Sequence, residues 1–220
     1  MGTKFLISCL LIVLSIVQPK AIAESESEKE AVVDIEGKEL EVDQPYHIFW
    51  DITQIGGSAI PYKEDGATKV MLGTGGEFKN LSSPVTFSPA NPSEGKTILE
   101  STDLNIKFVD MPGVWQVEDM KDKKAPEGMR LRTSILVGGE PGKPGPETVR
   151  NWFKIEKAET KKPNARPGQH YRIFYCPNVC PQSCNVECGN IGVSVDDDTG
   201  GLALILFGKK GFPFVFMKAK

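Results

Sequence analysis

The chain has 220 residues, 40% hydrophobic and 25% charged, with 22 Gly and 16 Pro. That is ordinary globular composition, enough for one domain with a full core or for two small ones, and it excludes collagen, coiled coil and a wholly disordered chain. The 26 Lys and Arg fall short of the 29 Asp and Glu, for a net charge of −3, so no basic excess exists to neutralise phosphates and nucleic acid is not an expected partner.

Residues 1–23 read as an address. Lys4 supplies a positive start, and Phe5 to Val17 is an apolar run broken only by Ser8 and Ser15. Ala21-Ile22-Ala23 is a small-x-small cleavage site, so the segment is a secretory signal peptide cut after Ala23. No second apolar run approaches spanning length, so the mature chain is expected to be soluble, without a membrane partner, and extracellular or vacuolar. Cleavage removes Lys4, Lys20 and no acid, which leaves the mature chain more acidic. Residues 24–31 are polar and carry no turn signal, so a frayed, flexible arm is expected there. The remaining span, 32–220, reads as one domain.

Strand signals follow in order. Tyr46 to Trp50, Lys69 to Leu72, Asn105 to Val109 and Val114 to Val117 are rich in aromatic and β-branched residues. So are Trp152 to Ile155, His170 to Tyr175, Ile191 to Val195, Leu202 to Phe207 and Phe212 to Met217. Many alternate apolar with polar, as strands with one buried face do. Between them lie clusters of turn residues: Ile55 to Gly57, Gly73 to Gly76, Pro89 to Pro92, Gly138 to Pro146, Pro163 to Gly168 and Asp196 to Gly201. About ten short strands at near-regular spacing predict a single all-β domain, a barrel or sandwich. A faint echo at roughly sixty residues links Tyr46-His47-Ile48-Phe49, Asn105-Ile106-Lys107-Phe108 and Tyr171-Arg172-Ile173-Phe174, which suits a threefold barrel.

Cys9 leaves with the signal, so the mature chain keeps Cys176, Cys180, Cys184 and Cys188, spaced by four. On a helix that spacing would stack four thiolates for a metal, but Pro177 and Pro181 oppose a helix. Oxidation to disulfides is the expectation in an exported chain. Three connectivities exist. The nested one, Cys176–Cys188 outside and Cys180–Cys184 inside, is favoured because the outer bond joins loop ends that adjacent strands bring together. Closing such a loop is worth about 3 kcal/mol in the chain-entropy account.

Catalytic signatures are missing. The two histidines, His47 and His170, fall within strand patterns, and no G-x-S-x-G nucleophile turn exists. The glycine clusters do not lead into helices that would hold phosphate. Asp196-Asp197-Asp198-Thr199-Gly200-Gly201 lacks the downstream glutamate of a calcium loop and reads as a solvated hairpin turn. No cofactor, metal or enzymatic activity is expected. One glycosylation sequon, Asn80-Leu81-Ser82, places Asn80 at the surface if it is modified.

Val32-Val33-Asp34-Ile35-Glu36-Gly37 with Tyr46-His47-Ile48 resembles the opening of the plant Kunitz-type (soybean trypsin inhibitor) family. Pro84 to Pro89 with Ser101 to Phe108 looks like its middle. Tyr171 to Pro177, Cys188-Gly189-Asn190-Ile191-Gly192 and Phe212 to Phe216 look like its end. The resemblance covers residues 32–219 and implies a β-trefoil of twelve strands with pseudo-threefold symmetry. It also implies a monomeric protease inhibitor whose stiff loop enters a protease as a substrate would, losing little entropy on binding. Its target would be a serine protease first, a cysteine protease second. The matching loop spans Leu81 to Pro92, with Pro84, Val85, Thr86, Phe87, Ser88 and Pro89 as reactive residues. Thr86 stands at the primary specificity position, where trypsin-directed members carry Arg or Lys, so trypsin is not the expected target. A register shift by one would offer Phe87 to an apolar pocket. The family's loop-bracing asparagine is matched by Val42, which implies a weakened brace. The usual first disulfide is matched by Lys69 and Phe108, both non-cysteine, and the usual second by Cys176 and Cys188. The other expected role is a non-inhibitory binding, signalling or storage protein, which a degenerate loop would suit.

Overall fold

A computed structural model describes residues 29–50, 56–74, 82–119, 133–159, 169–180, 184–208 and 211–220. The expected signal segment, residues 24–28 of the arm and the sequon residue Asn80 lie outside the described residues.

Twelve strands form: β1 Tyr46–Trp50, β2 Ser58–Glu64, β3 Ala67–Gly73, β4 Val85–Pro89, β5 Leu104–Phe108, β6 Val114–Val117, β7 Thr133–Gly139, β8 Lys154–Lys157, β9 Tyr171–Tyr175, β10 Gly189–Val195, β11 Leu202–Phe207 and β12 Phe214–Lys218. Six close a barrel through antiparallel neighbours. β1 pairs with β12 over five residues, from Tyr46 opposite Lys218 to Trp50 opposite Phe214. β4 joins β1 at Tyr46 and Val85, and pairs β5 along its whole length. Leu104 bridges Phe153 just before β8, β8 pairs β9, and β9 meets β12 at Tyr171 and Phe214. The other six make three hairpins, β2–β3, β6–β7 and β10–β11, which pair with one another through β3–β7, β7–β11 and β11–β3. Three four-strand units around one axis make a β-trefoil.

The threefold echo in the sequence marks the opening strand of each unit, β1, β5 and β9. The equivalence is one residue off in the second copy. Ile48, Ile106 and Ile173 are the shared fully buried centres, so Leu104, not Asn105, stands where Tyr46 and Tyr171 stand. The strands absent from the sequence reading are β2, β4 and β7. Pro61 inside β2 and the paired glycines ending β7 dilute their strand signals. β4 carries three strand-forming residues, Val85, Thr86 and Phe87, but its flanking prolines read as loop.

Alternate side chains of the barrel strands meet in one aromatic core. Phe216 of β12 touches Phe87 edge-on at 5.5 Å between centroids and Tyr171 at 5.6 Å. Phe87 also lies 6.2 Å from Tyr46. A second run links Phe108, Trp115, Phe153 and Tyr175. Two core tyrosines keep their hydroxyls satisfied by the chain before β1: Tyr171 Oη accepts from Val33 N at 2.9 Å and Tyr46 Oη from Glu41 N at 3.0 Å. Glu30 and Ala31, which fall within the expected flexible arm, are paired to the barrel. Ala31 bridges Leu99, and Glu100 N donates to Glu30 O at 2.8 Å, because backbone next to a fixed segment gains partners at little further entropic cost.

The hairpin cap carries an ionic tie. Lys69 Nζ of β3 lies 2.8 Å from Glu64, 2.8 Å from Asp196 and 3.0 Å from Asp198, which joins hairpin β2–β3 to the turn of hairpin β10–β11. The Asp196–Gly201 turn is thus anchored by a cation rather than merely solvated. Burial pushes Asp196 up, but hydrogen bonds from Lys69 and Thr199 outweigh it and hold the carboxyl below its ordinary value of 3.8. Burial likewise pushes Lys69 down, and its three carboxylate partners reverse this and hold it above 10.5.

Two outcomes follow from this packing. Phe87→Ala should cost about 3–5 kcal/mol by urea denaturation, the range for emptying a fully buried aromatic site. Lys69→Met should cost about 1–2 kcal/mol at pH 7, since water still screens the cluster in part. Asp196 has a lowered folded value, so its share is whole above about pH 4 and lost as pH falls through that value. Lys69 has a raised one, so its share is whole below about pH 10.5 and lost as pH rises. The gap between wild type and Lys69→Met, measured by denaturation across pH, should therefore shrink at both extremes.

Candidate functional site

The expected reactive segment is a strand over most of its length. Val85, Thr86, Phe87, Ser88 and Pro89 form β4, paired residue for residue with Phe108, Lys107, Ile106, Asn105 and Leu104. Val85 and Phe87 are fully buried in the barrel. Thr86 and Ser88 are half-buried on its outer side. Within the expected loop, residues 85–89 are therefore strand and Phe87 faces the core instead of an outside pocket, while Leu81 lies outside the described residues. The reason is the two-residue period: Val-Thr-Phe-Ser places both apolar side chains on one face, and burying them outweighs leaving them in water.

What lies outward is held on several sides. Ser82 Oγ sits 2.6 Å from His47 Nδ1 of β1 and 2.8 Å from Ser58 Oγ of β2. Partial burial pulls the His47 imidazole below its ordinary value of 6.5, so the ring at this junction is neutral around pH 7. Pro84 O accepts from Val109 N at 3.0 Å. Further along, Phe87 O accepts from Asp43 N at 3.1 Å, and Ser88 Oγ donates to Asp43 Oδ1 at 2.7 Å.

The resemblance implies a weakened brace at Val42; in the structure the contacts to β4 from this segment are made by Asp43. Val42 instead packs against the core and donates its N–H to Lys96 O at 2.7 Å. Asp43 takes a left-handed conformation, φ 58°, which an aspartate tolerates better than most residues. That turn aims both its N–H and its carboxylate at β4. Its signal in the sequence is only an Asp before Gln44-Pro45, an ordinary turn.

Beyond β4 the chain makes a short 3-10 turn, Pro92–Glu94, capped by Asn91 Oδ1, which accepts from Ser93 N at 3.2 Å. Together with Pro89 and Gly95 this gives an exposed but constrained loop before β5. The disulfide loop between β9 and β10 pairs Cys176 with Cys188 and Cys180 with Cys184. Its base is set by Tyr175 opposite Gly189 in the β9–β10 ladder. A buried carboxylate also holds it: Asp103 Oδ2 accepts from Asn178 N at 2.8 Å and lies near Lys154 Nζ at 3.6 Å. Burial, the largest influence, raises Asp103 above its ordinary value despite these partners. His170 is buried beside β9, and its carbonyl accepts from Ala158 N. No helix among the described residues is long and apolar enough to cross a membrane.

Residues 32–218 match the legume Kunitz family, described as trypsin and protease inhibitor. Miraculin of Synsepalum dulcificum is 30% identical over 203 residues, covering 90% of this chain and 87% of that protein. Kunitz trypsin inhibitor 5 of Arabidopsis thaliana is 34% identical over 183 residues, covering 82% and 83%. Among solved structures, the Kunitz-type cysteine protease inhibitor PCPI-3 from potato superposes with a TM-score of 0.69 at 27% identity, covering 87% of this chain and 98% of that one. A twelve-strand trefoil with an outward, braced β4, joined to this similarity along nearly all of the chain after residue 31, places the protein in the legume Kunitz family of trypsin and protease inhibitors.

Proposed function

We propose that the protein is an exported, non-enzymatic protease inhibitor that meets its target through the outer side of Ser82–Ser88, with Thr86 at the primary specificity position and a target other than trypsin. The observation that carries this reading is the brace on β4. Protease clefts bind extended backbone, and a segment fixed in that shape before binding avoids most of the ordering cost. Asp43 holds Phe87 and Ser88, while His47 and Ser58 hold Ser82. The side chains that face outward are small and uncharged, and trypsin's pocket, acidic at its base, selects Arg or Lys. A protease that accepts a small or β-branched residue in its pocket is the matching partner. Cysteine proteases form the second target class, supported by the likeness to the potato inhibitor. Family membership and the disulfides support a secreted or vacuolar location.

A second reading has its own support. With Val85 and Phe87 turned inward, little of β4 is left to contact a partner. A family member that binds or stores without inhibiting suits that surface, in line with the likeness to miraculin and to the 21 kDa seed protein of Theobroma cacao, 29% identical over 198 residues.

The deciding experiment titrates the mature chain against elastase, subtilisin, chymotrypsin, trypsin and papain. Inhibition of elastase or subtilisin at micromolar or tighter, without trypsin inhibition, is the expected result, and silence across the panel would leave the second reading. Thr86→Arg should raise affinity for trypsin at least about tenfold, the change worth ~1.4 kcal/mol. Failure of that gain in a stably folded variant would move the contact away from β4. Asp43→Ala should weaken inhibition and cost about 1 kcal/mol of stability, the scale of one hydrogen bond, whereas Asp43→Asn should keep most of both. Inhibition constants and urea midpoints read the two effects separately.

A further inference from the structure

A cavity of about 400 Å³ opens on the side of the barrel where β6, the Pro146–Asn151 turn, the end of β9 and the disulfide loop come together. That volume falls within the ~300–1,000 Å³ span of small-molecule sites. Its apolar surface comes from Val117, Val186, Leu206 and the ring of Tyr175. None of these residues belongs to the β4 surface.

Tyr175 sets the site apart from a plain surface dent. It is only 3% exposed. The other two fully buried tyrosines, Tyr46 and Tyr171, spend their hydroxyls on backbone N–H groups. The Tyr175 hydroxyl has no hydrogen-bond partner among the described residues, yet its side chain lines the cavity. The hydroxyl opens onto the cavity and is not sealed in the core, so a ligand that displaces solvent there must supply a hydrogen bond in its place or lose about 1–3 kcal/mol. Burial pushes its pKa up to about 12, so it stays protonated and can both donate and accept at any physiological pH.

Charge decides what sort of ligand fits. The described lining residues include four carboxylates, Glu118, Asp119, Glu147 and Glu187, and one cation, Arg150. Arg150 is occupied by its neighbours: Nη1 donates to Val117 O at 3.4 Å and Nη2 lies 3.7 Å from Asp119. Glu118 accepts from Ser134 N at 3.3 Å. Glu147 and Glu187 are exposed at the rim and make no ion pair among the described residues. An anionic ligand would meet this acidic rim unfavourably, and a fully apolar one would leave the Tyr175 hydroxyl unpaired.

We propose that this cavity binds a small aromatic amine, with the ring against Val117, Val186 and Leu206, the Tyr175 hydroxyl on a polar atom of the ligand, and the ammonium at Glu147 and Glu187. The site is independent of protease inhibition, since it shares no residue with β4 or its braces.

Isothermal titration of the mature chain with tryptamine tests this, beside indole (same ring, no charge) and indole-3-propionate (same ring, opposite charge). The expected result is saturable tryptamine binding, with a dissociation constant on the order of 0.1–1 mM for a ligand of this size. Indole should bind several-fold more weakly and indole-3-propionate not at all. Glu147→Gln with Glu187→Gln should weaken tryptamine about fivefold while leaving the melting temperature unchanged, because both side chains are exposed. Tyr175→Phe keeps the ring against Phe153 and should weaken it by a similar factor. Absence of saturable tryptamine binding, equal or tighter binding of the propionate, or tryptamine affinity unaltered by the glutamine pair would each overturn the proposal.

Discussion

Closure of the barrel is the constraint on which the rest depends. Once β1 pairs with β12 over five residues and β4 with β5 over five, no strand can slip by one without turning its whole apolar set to water. Phe216, wedged between Phe87 and Tyr171, fixes that register from inside. The outer face is then decided by default. Thr86 and Ser88 point outward because Val85 and Phe87 cannot. What β4 shows to solvent is in this sense a by-product of core packing, and substitution there is free only at positions the core does not claim.

The segment before β1 couples core and surface. Tyr46 and Tyr171 are core residues, yet their hydroxyls hold Glu41 and Val33. Two residues past Glu41, Asp43 reaches β4. A short path therefore runs from buried phenols through eleven residues of chain, 33–43, to the exposed edge. Stiffness at β4 comes in part from side chains committed to the interior, because they fix the segment that carries Asp43. The backbone turn at Asp43 brings its carboxylate to that strand.

Legibility in the sequence followed the range of the interaction. Alternation within five residues exposed nine of the strands, and a sixty-residue echo exposed the three units, because both patterns are local or repeated. The disulfide loop was legible because its cysteines lie within thirteen consecutive positions. Lys69 was not: its partners Asp196 and Asp198 are more than a hundred positions away, and nothing in either segment signals the other. β4 failed for another reason. Its prolines argue loop while Val85 and Phe87 argue strand, and only the surrounding barrel settles which wins. The contacts of Asp43 were not legible because they depend on a left-handed turn, and an Asp before Gln44-Pro45 signals only an ordinary turn.

Lys69 also shows how this chain departs from the family pattern that its sequence resembles. That pattern implies a first disulfide at the positions of Lys69 and Phe108. Here Phe108 belongs to the aromatic core against Trp115, and Lys69 holds three carboxylates. A covalent bridge constrains the unfolded chain and ignores pH and salt. An ionic cluster acts only on the folded state, weakens when its acids protonate, and is screened where it meets solvent. The cap hairpins are therefore tied by something reversible, while the β9–β10 loop keeps its covalent ties. Stability in this trefoil is unevenly conditional: the Cys176–Cys188 bond itself is indifferent to acid, whereas the Lys69 cluster, and the Asp103 contact beside that bond, depend on carboxylates that titrate.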